Sequence, residues 1–267
     1  MKLEQAKLIA DSALKKLAAA LEHGKSETLT AYLAAMARFH NYSFGNVMLI
    51  ASQFPEATYV AGFRTWKKLG RWVRKGQKGI VIIAPMVGKK ADDNGDEDTV
   101  CMFRAVHVFD VSQTDGDELP ELKRVQGDPV GYTTMLKAAV EQRGIALQYK
   151  DDLGGADGSS SGGTISLMEG LPPAEEFSIL VHEFAHEMLH HGNGDRPESK
   201  AVRETEAEAV AFVVTQAVGL ETGSAAADYI QLYNGDEKVL AMSLDRIQKT
   251  AAEILAALHV DDSSATN

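Results

Sequence analysis

Leu180-Val181-His182-Glu183-Phe184-Ala185-His186-Glu187-Met188-Leu189 is the stretch on which the reading of this chain turns. Its two histidines stand four residues apart, one helical turn, so on a helix both imidazoles reach the same point. Ile179, Leu180, Val181, Phe184, Ala185, Met188 and Leu189 make that helix apolar almost all round, which marks it as buried. Two imidazoles and a carboxylate buried without partners carry a large desolvation cost. A metal ion supplies the partner.

The spacing is that of the metalloprotease pattern His-Glu-x-x-His, with His182 and His186 as ligands and Glu183 as the group that acts on a water. A catalytic zinc usually has three protein ligands and a water, so a third is expected downstream. The metzincin continuation is absent, because Leu189 and Gly192 stand where its glycine and histidine belong. Glu204-Thr205-Glu206-Ala207-Glu208 opens an acidic helix instead, with Glu204 and Glu208 on one face at i, i+4. Glu204 is the expected third ligand, and Glu208 the expected hydrogen-bond partner of a ligand imidazole. Glu206 is expected to point elsewhere and Glu187 to be a solvated charge. His190 and His191 are expected to serve the C-terminal end of the helix. Zinc is the expected cofactor, although two imidazoles and a carboxylate accept other divalent ions. In that chemistry zinc lowers the pKa of its bound water toward ~7 and Glu183 takes the proton as general base.

Working outward, Pro172-Pro173 opens the motif helix and Gly192 stops it. Ahead of it, residues 130–143 read as a helix, and 145–149 and 164–168 as strands. The Gly- and Ser-rich residues 154–163 are expected to form a flexible loop and a mobile lid. The strand at 164–168 is expected to align a peptide by pairing along its edge. Helices follow at 199–218, 225–233 and 237–258, then a flexible tail at 259–267. Tyr229 and Tyr233 are candidates, by residue type, for stabilising an oxyanion. The second domain, 126–258, is therefore mainly helical with a small sheet.

Residues 1–120 read differently. Helical periodicity covers 3–23, 26–39 and 46–53, and strands follow at 58–61, 79–84 and 102–109, so this domain is mixed α+β. The polar run 88–98 reads as a hairpin insertion, and the stretch 113–129, rich in Asp, Glu, Gly and Pro, as the domain boundary. The 267-residue chain has a formal charge of −11, yet residues 1–90 hold 15 Lys+Arg against 5 Asp+Glu, and residues 91–267 hold 12 against 33. Arg64, Lys67, Lys68, Arg71, Arg74, Lys75 and Lys78 fall within fifteen positions that contain no acid. Phe63, Trp66 and Trp72 are interleaved with them, and stacking faces beside backbone-neutralising cations bind single-stranded nucleic acid. Tyr42, Ser43 and Asn46 extend the same expected surface.

No apolar run approaches the ~18 to 20 residues of a membrane helix, and the first residues form a charged helical pattern without the core of a secretion signal. The single cysteine, Cys101, excludes an internal disulfide framework and any Cys-rich zinc cluster. A cytoplasmic protein without a membrane partner is expected.

With both halves read, the order of parts resembles the ArdC-type antirestriction proteins. Phe39-His-Asn-Tyr-Ser-Phe-Gly-Asn-Val-Met-Leu-Ile50, Val60-Ala-Gly-Phe-Arg-Thr-Trp-Lys-Lys-Leu-Gly70, Val73-Arg-Lys-Gly-Gln-Lys-Gly79 and Val108-Phe-Asp-Val-Ser-Gln113 are similar to that family's N-terminal single-strand-DNA-binding domain. Leu180-Val-His-Glu-Phe-Ala-His186 with Glu204-Thr-Glu-Ala-Glu208 is similar to zincin-like peptidases of the ImmA/IrrE kind. The resemblance implies a protease fold with His182, His186 and Glu204 on the metal and Glu183 as catalyst. It also implies DNA binding by the first domain, and a role in protecting incoming single-stranded DNA or in cleaving a regulator. The chain departs from the antirestriction members at Phe184 and Ala185, where they carry Leu-Thr, and lacks their Trp-Thr-Gly after the second histidine. Two readings follow: a zinc metalloendopeptidase acting on a protein near single-stranded DNA, and a non-enzymatic protein that shields single strands and whose metal is structural.

Overall fold

A computed structural model describes residues 3–23, 26–91, 97–117, 129–191, 197, 199–220 and 237–258. The expected helix at 225–233 with Tyr229 and Tyr233, the stop at Gly192 and the tail at 259–267 lie outside the described residues. The fold is α+β with small sheets. Among the described residues, no helix is long and apolar enough to cross a membrane.

The chain opens with α1 (Leu3–Glu22) and α2 (Ser26–Arg38) and divides into two compact units. The first contains the described residues up to 16 and those from 45 to 117; the second contains residues 17–44 and those from 129 onward. On sequence, 17–44 group with the first domain; in the structure α2 buries Leu29, Leu33 and Met36 and packs within the second unit.

In the first unit, α3 (Phe44–Gln53) precedes β1 (Val60–Gly62), α4 (Phe63–Lys68), β2 (Arg71–Val73), β3 (Ile80–Ala91), β4 (Glu97–Asp110) and β5 (Thr114–Gly116). An antiparallel hairpin of β3 and β4 runs in register from Ile80↔Val108 to Ala91↔Glu97, and β1 pairs with the other side of β4. The hairpin outruns the sequence reading, which ends its first strand at Pro85. Proline is tolerated there because β3 is an edge strand and its outer side needs no N–H donor. A separate ribbon of β2 and β5 pairs Arg71 with Gly116.

Two side-chain amides of α3 pair with the outer side of β3 as a neighbouring strand would. Asn46 donates to Ile83 O and accepts from Ile83 N, both at 2.8 Å. Gln53, two turns later, donates to Val81 O at 2.9 Å and accepts from Val81 N at 3.0 Å. Leu49, between them, packs on Ala6 and Val81 in the core. At the end of β4, Asp110 accepts from the backbone N–H of Thr58, Tyr59 and Ser112, while Gln113 accepts from Asp110 N and donates to Lys78 O. This knot gives the Phe109-Asp110-Val111-Ser112-Gln113 segment a structural reason.

The second unit adds α5 (Pro129–Gln142), β6 (Ala146–Lys150), β7 (Gly158–Ser160), β8 (Thr164–Met168), α6 (Pro173–His190), α7 (Lys200–Ala217) and α8 (Glu237–Ala257). Its sheet has the order β6-β8-β7, with β6 parallel and β7 antiparallel to β8. Two expectations are corrected here. The strand at 164–168 is central, with both edges already paired, so it has no edge to offer a peptide. Residues 154–163 are not one flexible loop, because 158–160 form β7. Against this sheet lies α6, which also packs on α5 and α7; α7 in turn packs on α8 and α2. Ser199 caps α7 by accepting from Val202 N, and Gly219, at φ 82°, ends it.

Replacing Asn46 by Ala leaves the Ile83 N–H and C=O unpaired in a partly buried position, and is expected to destabilise the first unit by about 1 to 3 kcal/mol. Urea unfolding of the variant measures it. A loss within error of zero removes the amide pairing as a structural requirement.

Candidate metal centre

Two rows of side chains on α6 build the site, each with a spacing of four, the repeat that stacks residues on one face. One row, Ile179, Glu183 and Glu187, faces β7 and the turn into β8. A Cβ on Gly158 would lie 2.6 Å from Ile179 Cγ2 and 2.9 Å from Glu183 Cγ, so only glycine lets the strand sit this close to Glu183. One turn further on, Glu187 accepts from the backbone N–H of Gly162 (2.9 Å) and Gly163 (2.7 Å). Glu187 is thus a buried anchor for the turn, not the solvated charge expected from sequence.

The second row, His182, His186 and His190, faces α7. His182 Nε2 and His186 Nε2 are 3.1 Å apart, and Glu204 Oε2 lies 3.6 Å from the first and 3.3 Å from the second. A tetrahedral ion bound at about 2.0–2.1 Å requires donors about 3.3 Å apart, so this triangle fits one divalent cation. The chemistry of the set, two neutral nitrogens and one carboxylate oxygen, fits as well. Each imidazole is also held from behind. His182 Nδ1 lies 3.4 Å from Glu208 Oε2, and His186 Nδ1 lies 3.0 Å from His190 Nδ1.

His190 itself is 2% exposed, and its Nε2 meets Glu206 Oε2 at 3.1 Å. Glu206 is fully buried and also bonded to Arg246 of α8. Sequence reasoning placed His190 at the exposed end of the helix and set Glu206 aside. A signal was available: Glu206 shares its buried face with Val202, Ala209, Val210 and Val213, and a carboxylate on an apolar face needs a partner.

These contacts also set the proton affinities. Burial and the fields of Glu204 and Glu187 raise the Glu183 carboxyl above its ordinary range, against the opposing pull of His182. Desolvation and the neighbouring His182 push His186 down to about 4. For His182 desolvation is the largest influence, but the Glu208 hydrogen bond and the fields of Glu183, Glu208 and Glu204 outweigh it and raise the pKa. Desolvation works against ionisation of Glu206 too, yet the donors His190, Arg246 and Ser243 leave its pKa lowered.

The expected nucleic-acid residues divide. Trp72 is 59% exposed, and Phe63, Arg64, Lys67, Lys68, Lys75 and Lys78 are exposed with it. Trp66 is not available for stacking: it is fully buried beside Tyr59, and its Nε1–H donates to Phe109 O at 2.9 Å. Asn46 is committed to β3. Arg71 is tied to Thr114 Oγ1 at 2.8 Å and to the Asp117 carbonyl, and Arg74 to the Ser112 carbonyl and to Asp115 at 3.4 Å. Tyr42 belongs to the second unit, where its ring meets Phe39 edge-on.

Residues 5–109 match the N-terminal domain of anti-restriction factor ArdC. The first part of the chain is similar to that domain. Over a longer stretch, the chain is similar in fold to the crystal structures of the antirestriction ArdC protein from the R388 plasmid. To the Mn(II)-bound form it has a TM-score of 0.56 at 19% identity, over 94% of this chain and 98% of that one. To the metal-free form the values are 0.50 and 20%, over 80% and 84%. An uncharacterized protein of Bacillus anthracis is 26% identical over 82% of this chain and 46% of its own length. The chain therefore spans about half of that curated relative.

Equilibrium dialysis is expected to load about one divalent ion per chain, and Glu204→Ala to weaken binding at least about tenfold, since removing even a supporting group costs that much. Unchanged affinity in the variant would take Glu204 out of the site.

Proposed function

We propose that this ArdC-like chain is an antirestriction-type, DNA-associated metallopeptidase that hydrolyses peptide bonds of a protein near single-stranded DNA. The observation that carries the reading is the donor triangle of His182, His186 and Glu204 with the glutamate of the same motif, Glu183, buried beside it against Gly158. A divalent ion held by that triangle, Zn2+ or another such as Mn2+, supplies a Lewis acid and acidifies a coordinated water.

The chain's own residues do the rest. Glu183, with a carboxyl raised by burial, takes a proton from the water as general base and delivers it to the leaving amine as general acid. Glu208 keeps the His182 imidazole oriented through its Nδ1 atom. Since β8 is flanked on both sides, β7 replaces it as the strand along which a substrate peptide aligns. One side of β7 pairs with β8, and Gly158 brings it against Glu183. The first unit supplies the nucleic-acid surface, with Trp72 and Phe63 as stacking faces and Arg64, Lys67, Lys68, Lys75 and Lys78 as cations. A cytoplasmic setting, where incoming DNA meets nucleases, fits this role.

Two experiments test the reading. With denatured casein as a general substrate, Glu183→Gln is expected to lower cleavage by about 10²- to 10⁴-fold while leaving metal content unchanged. Equal cleavage by both proteins removes Glu183 from the mechanism. If neither protein cleaves while DNA binding persists, the strand-shielding alternative takes its place. On a fluorescent single-stranded oligonucleotide, Trp72→Ala is expected to cost about 1 to 3 kcal/mol of binding. Joint replacement of Lys67, Lys75 and Lys78 is expected to flatten the dependence of affinity on salt by about 0.7 for each phosphate left without its cation. A salt dependence identical to wild type contradicts the assignment of those lysines.

A further inference from the structure

Behind the donor triangle, a line of polar groups, buried at its middle, runs from α6 through α7 to α8: His186, His190, Glu206 and Arg246. The side chains of His190 and Glu206 are 1% and 0% exposed, so solvent does not complete their hydrogen bonds. The direction of every bond in the line follows from its far end. Arg246 is a permanent cation and a donor only, and it holds one oxygen of Glu206. The other oxygen, Oε2, can then only accept, so His190 must carry a proton on Nε2. A neutral His190 has its lone pair on Nδ1, 3.0 Å from His186 Nδ1. His186 must therefore be the donor in that pair, with its proton on Nδ1 and its lone pair on Nε2. Nε2 is the atom 3.1 Å from His182 Nε2 and 3.3 Å from Glu204 Oε2.

We infer that His190, held by Glu206 and Arg246, is a positioning residue that fixes His186 in the tautomer and ring orientation required to bind a metal. The inference rests on the metal-site reading above and adds to it the device that prepares the site. His182 has a simpler arrangement, with Glu208 accepting directly from its Nδ1. At His186 the imidazole of His190 stands between, bonded on its far side to Glu206 on the buried face of α7.

The test compares His190→Phe with His190→Gln, using Co(II) as the probe and its visible absorption as the readout. Phenylalanine removes the acceptor and leaves Glu206 with Arg246; glutamine offers one acceptor and one donor, as the imidazole does. Co(II) affinity is expected to fall about 10- to 100-fold in His190→Phe and to recover in His190→Gln, with unfolding midpoints that do not track the affinities. Co(II) binding by His190→Phe at wild-type strength overturns the inference. Should that variant not fold, long-range proton–nitrogen NMR on the metal-free wild type decides. A proton on Nδ1 of His186 supports the inference, and one on Nε2 overturns it. Failure of the metal reading looks different: the wild-type chain itself then binds no Co(II), whatever tautomer His186 adopts.

Discussion

Polar side chains on a buried helix must each find a partner, and that requirement organises the second unit around α6. Glu183 and Glu187 stand in one row of the helix, and His182, His186 and His190 in the other. Desolvation of each costs on the order of kilocalories unless it is met. Two different answers are used. Backbone N–H groups of the β7–β8 turn meet Glu187 and carboxylates of α7 meet the imidazoles, while Glu183, given room by Gly158, keeps a carboxyl raised by its burial. The positions of α7, β7 and the turn are set by the same demand that shapes the site.

The strongly periodic elements were legible. α1, α2, α6, α7 and α8 begin and end within a residue or two of where the sequence reading puts them, from apolar periodicity and, for some, from capping residues, prolines and glycines. Donor types and spacing likewise picked out His182, His186, Glu204 and Glu208, which the structure brings within 3.1 to 3.6 Å of one another in pairs. What escaped was stabilised from a distance in sequence. β7 is three residues of Gly and Ser, with no propensity for a strand, and exists because β8 pairs with it and Glu187 holds the turn. α4, β2 and β5 are too short for periodicity to register. The apolar face of α7 signals that Glu206 needs a partner, but its tie to His190 joins side chains sixteen residues apart, and no local pattern names that partner.

The basic stretch shows how charge density on sequence divides once the chain folds. Two of the seven cations, Arg71 and Arg74, bond to carbonyls of the β5 region and help to hold the ribbon together. One of the two tryptophans is core. The other five cations, and Trp72, are exposed. Composition alone cannot make that division, because an arginine that reaches a backbone carbonyl and one that reaches solvent have the same letter.

The amide pairs between α3 and β3 have a consequence for the protein's behaviour among its own copies. An open strand margin is a template on which a second molecule can add a strand and begin to aggregate. Asn46 and Gln53 occupy the hydrogen-bonding groups of Ile83 and Val81, two successive outward positions. Along this part of β3 an intruding chain would have to displace four bonds before making its first, so Val81 and Ile83 are closed as a template for an added strand.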